Sequence, residues 1–129
     1  MPGDFALRGW RQLRELSQSV GLLENLKEID LSHCESLEEL PESLGQLRHL
    51  RKLDLAFCRN IKKLPENVGE LRCLESLNLD LCKGLKTFPE SFGQLSCLQH
   101  LNLRGCKALE SLPESFGRLC HKTGSVNLI

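Results

Sequence analysis

The chain has 129 residues, enough for one domain and too few for a two-lobed enzyme with a cleft between lobes. Seventeen Lys and Arg balance seventeen Asp and Glu, so no long-range field draws nucleic acid or an anionic membrane face. Hydrophobic residues make up 40% but aromatics only 5%, so the chain should fold around an aliphatic core.

The start, Met1 to Arg8, lacks the basic segment and apolar run of a secretory signal, and the chain has no stretch of about 18 apolar residues. Seven cysteines form an odd set and no Asn-x-Ser/Thr acceptor occurs. Both features favour a reducing compartment, so the expected location is the cytoplasm.

The chain is internally repetitive. Leu23, Leu47, Leu71, Leu95 and Leu119 recur every 24 residues. With each as position 1 of a repeat, apolar residues return at positions 4, 7, 9, 15, 18 and 22 through the first four, and the pattern fails after Leu119, where Lys122, Ser125 and Asn127 stand at positions 4, 7 and 9. In the first repeat these are Leu26, Ile29, Leu31, Leu37, Leu40 and Leu44. Position 12 is always cysteine (Cys34, Cys58, Cys82, Cys106), position 19 proline (Pro41, Pro65, Pro89, Pro113) and position 23 glycine (Gly45, Gly69, Gly93, Gly117). A degenerate repeat spans residues 5–22, with Trp10 at the cysteine place and Ser17 at the proline place. Full repeats run 23–46, 47–70, 71–94 and 95–118, and 119–129 is an incomplete one. There a one-residue shift is needed to bring Val126 and Leu128 back as an inward pair.

The spacing within a repeat predicts the backbone. Positions 7 and 9 flank a polar residue, as in Ile29-Asp30-Leu31, which is the period of a short strand with one buried face. Leu40, Leu44, Leu47 and Leu50 then line one side of a helical turn. Proline suits its first helical residue, and Glu42, Glu66, Glu90 and Glu114 follow at its positive end. The glycine is expected to take positive φ and stop the turn. One unit cannot bury its own leucines, so units must stack, with strands pairing in parallel about 4.8 Å apart. Strands approach more closely than helical turns, so the sheet becomes the concave wall of a curved solenoid. The fold class is α/β, a single domain of residues 1–129 with a parallel concave sheet and short helical or 3-10 convex segments.

These motifs, LxxLxLxxC joined to LPESxGxL over residues 5–118, resemble leucine-rich-repeat proteins and imply their horseshoe arc. Cysteine in the usual asparagine place, with Leu-Pro-Glu-Ser before an apolar-Gly pair, is similar to repeats of plant intracellular immune receptors of the nucleotide-binding type. It is also similar to plant repeat proteins related to Ras-pathway scaffolds. The resemblance implies defence sensing or intracellular signalling. The chain has no phosphate-binding glycine loop and no signalling domain of a full receptor.

Chemistry has little purchase here. Zinc needs ligands converging on one ion at about 2.3 Å, whereas thiols 24 residues apart form a column stepping about 4.8 Å. The position-12 cysteines are therefore read as a structural ladder, with no cofactor and no metal. Cys73 and Cys97, stacked at position 3, approach disulfide distance, but the compartment argument favours free thiols. G-x-S-x-G, H-E-x-x-H, G-x-G-x-x-G and Walker motifs are all missing, and the four histidines share no column. The chain is not expected to be an enzyme.

Recognition remains, with a protein or peptide as partner and neither nucleic acid nor membrane. Positions 5, 6, 8, 10 and 11 should point away from the core on the concave strands. Position 8 supplies Asp30, Asp54, Asn78 and Asn102; position 10 supplies Ser32, Ala56, Asp80 and Arg104. At position 11, His33 is followed by Phe57 and Leu81, two apolar groups on neighbouring strands where solvent is expected. They serve either as a partner's anchor or as a rim of the core. Lys27, Arg51, Lys52, Glu75 and Arg104 add orienting charge. Five strands offer on the order of 500 Å², below the roughly 800 Å² per partner of a stable interface. The alternative reading is a structural scaffold that self-associates through the incomplete C-terminal repeat.

Overall fold

An apolar residue at the centre of a three-residue strand recurs on every coil, and backbone pairing turns that recurrence into a sheet. A computed structural model describes residues 4–117 and the backbone of 125–127. It contains β1 (Asp4–Ala6), β2 (Glu28–Asp30), β3 (Lys52–Asp54), β4 (Ser76–Asn78), β5 (His100–Asn102) and β6 (Ser125–Asn127). The six strands form one parallel sheet in chain order. Ile29 faces Leu53, Leu53 faces Leu77 and Leu77 faces Leu101, so identical repeat positions are direct neighbours. The last step is one residue longer, with Leu101 opposite Val126, the shift the C-terminal spacing requires. The sequence expectations at Leu119 and Leu128 lie outside the described residues.

The opposite side is built from 3-10 helices at Gln18–Leu22, Glu42–Gln46, Val68–Glu70 and Glu90–Gln94. Leu44 N–H donates to Pro41 O, Leu47 N–H to Leu44 O and Leu50 N–H to Leu47 O, at 3.1, 3.1 and 3.2 Å. This three-residue step places Leu44, Leu47 and Leu50 on one inward line, because residues three apart eclipse in a 3-10 helix. Pro41 is extended, with φ −72° and ψ 151°, and so precedes the first helical residue instead of being it, as does Pro89. In the degenerate repeat Ser17 takes that place, and its hydroxyl accepts from Ser19 N–H at 3.1 Å. The inward leucines form one continuous core from Leu16 to Phe116. Each fully buried leucine contributes about 1.5–3 kcal/mol.

The glycine at the end of each 3-10 helix has a role other than the expected one. Gly45, Gly69 and Gly93 do not have positive φ. Each instead receives the next coil: a methyl group on Gly69 would lie 2.0 Å from Ser91 O, and on Gly93 2.3 Å from Ser115 Cβ. The neighbour is held close by a hydroxyl column. Ser43 Oγ donates to Gln18 O, Ser91 Oγ to Glu66 O and Ser115 Oγ to Glu90 O, all at 2.7 Å. Asn67 Nδ2 does the same to Glu42 O at 2.6 Å.

Gly69→Ala is therefore expected to destabilise the chain by about 1–3 kcal/mol, the usual cost of overpacking. The shift in the urea unfolding midpoint measures it.

Candidate functional site: the concave wall

The strands end the same way on each coil. Asp30 Oδ1 accepts from Ser32 N–H (2.9 Å), Asp54 Oδ1 from Ala56 N–H (3.0 Å), Asn78 Oδ1 from Asp80 N–H (3.0 Å) and Asn102 Oδ1 from Arg104 N–H (2.9 Å). Position 8 thus has a structural task, an Asx turn, and each side chain is half-buried. Asn does this work on two coils, so the turn does not require the negative charge of Asp30 and Asp54. Burial pushes the Asp54 carboxyl above the ordinary aspartate range, the Ala56 N–H pulls it down, and the Asp30 charge raises it further.

At position 10 the expectation of solvent exposure fails on two coils. Ser32 and Ala56 are buried, and the Ser32 hydroxyl donates to Asp30 Oδ1 at 2.6 Å. On the next two coils Asp80 and Arg104 pair with each other: Arg104 Nε donates to Asp80 Oδ1 at 2.9 Å and Nη2 to Oδ2 at 2.8 Å. This fork fixes both side chains. Of the orienting charges at positions 5 and 6, Lys27, Arg51 and Lys52 are exposed and Glu75 is half-buried.

Position 11 is where the backbone departs from the ordinary. His33, Phe57 and Leu81 have φ of 63°, 64° and 56°, and the same place is glycine on the flanking coils, Gly9 at 77° and Gly105 at 74°. The cause is the ladder. His33 N–H donates to Ala56 O, Phe57 N–H to Asp80 O and Leu81 N–H to Arg104 O at 2.8, 2.8 and 2.7 Å, while the next residue turns inward. A left-handed conformation allows both. It costs a side-chain-bearing residue roughly 1–2 kcal/mol. The three side chains are half-buried. The His33 and Phe57 rings stack at 4.4 Å and 12°, and Leu81 covers Gly105, where a methyl group would meet Leu81 Cδ2 at 2.4 Å. They form a column along the strand ends, an imidazole followed by two apolar side chains, neither free in solvent nor part of the closed core.

The cysteine column behind it is bonded to backbone. Cys34, Cys58, Cys82 and Cys106 Sγ donate to Leu7, Leu31, Leu55 and Leu79 O at 3.2, 3.1, 3.0 and 3.2 Å. Leu31 O also accepts Cys34 N–H at 3.2 Å, so the thiol takes the carbonyl's second lone pair. Burial pushes the Cys58 thiol up to about 12 and raises those of Cys34, Cys82 and Cys106. Cys73 and Cys97 are exposed free thiols. Among the described residues, no three His, Cys, Asp or Glu side chains are grouped so as to hold a metal ion, and no helix is long and apolar enough to cross a membrane.

Two further residues carry no signal within a single repeat. Arg59 forms an ion pair with Glu35 one coil back, and Arg11 Nε stands 4.0 Å from the same carboxylate. The hydrogen bond from Arg59 holds the Glu35 carboxyl below its ordinary range. Their shared repeat position is the one sequence feature that points to the pair.

A family model of the leucine-rich repeat region matches residues 42–121, and a single-repeat model matches 25–47. The chain belongs to the leucine-rich-repeat family. The leucine-rich repeat domain of the type III effector XopL is similar over 88% of this chain and 38% of its own, with 30% identity and a TM-score of 0.76. A leucine-rich-repeat protein of Leptospira interrogans is 29% identical over 88% of this chain and 34% of its own, with a TM-score of 0.56. The chain thus spans little more than a third of either. No curated protein gives a match.

Two outcomes are expected from this geometry. The raised Asp54 pKa means wild-type stability is complete below the unfolded carboxylate value and declines as pH rises through the folded one. Asp54→Asn keeps the turn and removes that decline, so it should be more stable at neutral pH, with the gain vanishing near pH ~3–4, around the unfolded aspartate value; thermal melts across pH measure this. In a Cys120→Ser background, a thiol reagent under native conditions should modify Cys73 and Cys97 quickly. Cys34, Cys58 and Cys82 should react only on unfolding, as mass spectrometry of digests reads directly.

Proposed function

We propose that this chain is a non-catalytic protein-binding module that takes a protein or peptide on its concave wall, anchored on the column His33, Phe57 and Leu81. The observation that carries this reading is the retained backbone strain. Glycine serves at Gly9 and Gly105, yet three successive coils between them keep larger side chains at positive φ. Relief by glycine is open to each of them, so the side chains are kept for what they present. Asp30, Asp54 and the Asp80–Arg104 fork flank the column with fixed polar groups. The wall is open to water, which suits recognition and not the exclusion of solvent that catalysis needs. A wall of about 500 Å² favours a peptide-sized contact, or a share of a larger surface.

The finer reading is plant defence or intracellular signalling, in the cytoplasm. It draws support from the thiol column and from Leu-Pro-Glu-Ser, the features that resemble plant intracellular immune receptors. In such a compartment the thiols stay reduced and free to bond to carbonyls.

Peptides selected from a random display library against the wild-type chain should bind the Phe57→Ala/Leu81→Ala variant at least about tenfold more weakly, the scale of a lost hot spot, with its circular dichroism preserved. Unchanged affinity removes the anchor. Sedimentation velocity across concentration, run on the same samples, should show one constant mass; a rising mass favours the self-associating scaffold.

A further inference from the structure

Beyond the wall, the lower rim of the sheet, where the chain enters each strand, carries a charge pattern that the stack does not resolve internally. The coil headed by Leu47 continues Arg48-His49-Leu50-Arg51-Lys52. Leu50 is buried and the other four are exposed. Arg72 occupies the next coil at the place of Arg48, and Lys27 the preceding coil at the place of Arg51, whose N–H bonds to Lys27 O at 2.7 Å. Like charges on neighbouring rungs oppose the stack. Elsewhere the same 24-residue step produces ion pairs, Arg59 with Glu35 and Arg104 with Asp80. Here Glu28 lies in register with Lys52, yet among the described residues no carboxylate comes within 4.0 Å of Lys27, Arg48, Arg51, Lys52 or Arg72.

The imbalance is local in a neutral chain. Residues 47–70 hold six Lys and Arg against three Asp and Glu, whereas residues 23–46 hold one against seven. Beside the cations lies an open hollow of about 1000 Å³, lined by Leu22, Arg48, His49 and Arg72 together with the carboxylates Glu24 and Glu70. Leu22 is 75% exposed, so the hollow joins an unburied aliphatic side chain to two unpaired guanidinium groups.

We propose that this rim is a second recognition surface that binds an acidic peptide segment, a carboxylate bridging Arg48 and Arg72 while an adjacent apolar side chain covers Leu22. It rests on the reading of the chain as a protein-binding module and supplies the chemistry of a partner. A carboxylate between two guanidinium groups converts their repulsion into paired, charge-assisted hydrogen bonds. Nucleic acid fits less well. Glu24 and Glu70 also line the hollow and would face a continuous run of phosphates, whereas a single carboxylate seated between Arg48 and Arg72 need not face them, and the lining offers no Phe, Tyr or Trp for base stacking.

Fluorescence anisotropy with a labelled peptide of alternating glutamate and leucine provides the test. Its lysine-leucine counterpart and a single-stranded oligonucleotide serve as competing probes. The acidic peptide should bind, more weakly as salt is raised, and the lysine peptide should not. Arg48→Glu/Arg72→Glu should reduce the affinity at least about tenfold, the range seen for paired charges across interfaces. Arg48→Gln/Arg72→Gln gives the milder comparison and decides the matter if charge reversal disturbs the circular dichroism. Phe57→Ala/Leu81→Ala should bind the acidic peptide like the wild type. Equal binding of both peptides, wild-type affinity in the Arg variants, or tighter binding of the oligonucleotide overturns the rim site. Loss in the Phe57/Leu81 variant alone moves the peptide to the concave wall, which overturns the rim while leaving the module reading in place.

Discussion

Along the sheet, each strand residue lies beside the residue at the same repeat position on the next coil. Parallel, in-register pairing makes Ile29, Leu53, Leu77 and Leu101 direct neighbours, and the same holds at each repeat position. A residue that recurs at one repeat position is therefore acceptable only if a column of it is acceptable. Leucine passes because apolar side chains pack against their own kind. Cysteine passes because its thiol donates across the step to a carbonyl that still has a free lone pair. Serine passes on the opposite side by the same device, and glycine passes where the coils come too close for a methyl group.

Charge is the hardest kind of side chain to stack, and the chain treats it in three ways. Glu35 and Arg59, or Asp80 and Arg104, alternate in sign along a column and pair. Asp30 and Asp54 repeat in sign, and the Asp54 carboxyl rises in consequence of burial and of its neighbour. Arg48 and Arg72 repeat in sign at the exposed rim, where solvent reduces the penalty and an anionic group removes it. Pairs of the first kind hold the coils together. The unresolved ones mark surfaces that gain most from a partner.

The strand ends add a second constraint. The chain must pair its N–H along the sheet at position 11 and then turn into the core one residue later, and a left-handed residue meets both demands. Glycine is the easy answer, given at Gly9 and Gly105. His33, Phe57 and Leu81 meet the same demand at greater cost and place a column of larger side chains on the inner wall. Strain and partial exposure coincide there, which ties the architecture of the coil to its proposed use.

Much of this architecture is legible in the order of residues. The 24-residue period by itself determined the order and direction of the strands, most of the inward set of side chains and even the one-residue shift that brings Val126 opposite Leu101, but it missed the sixth strand of the sheet and the 40% exposure of Leu112. A period is a statement about which residues are equivalent, and equivalence in a stack is adjacency. Physical cause at a given place was less legible. A recurring glycine fits both positive φ and close approach, and only the 2.0 Å between an added methyl on Gly69 and Ser91 O separates them. Asp30 and Asp54 have the pattern of free recognition groups, but their turn bonds give them structural work, and Ser32 and Ala56 are buried. The left-handed column at His33, Phe57 and Leu81 and the fork of Arg104 on Asp80 belong to the tertiary structure alone. They depend on lateral offsets of a few ångströms between coils, and a one-dimensional repeat carries the order of its residues but not the distance between their copies.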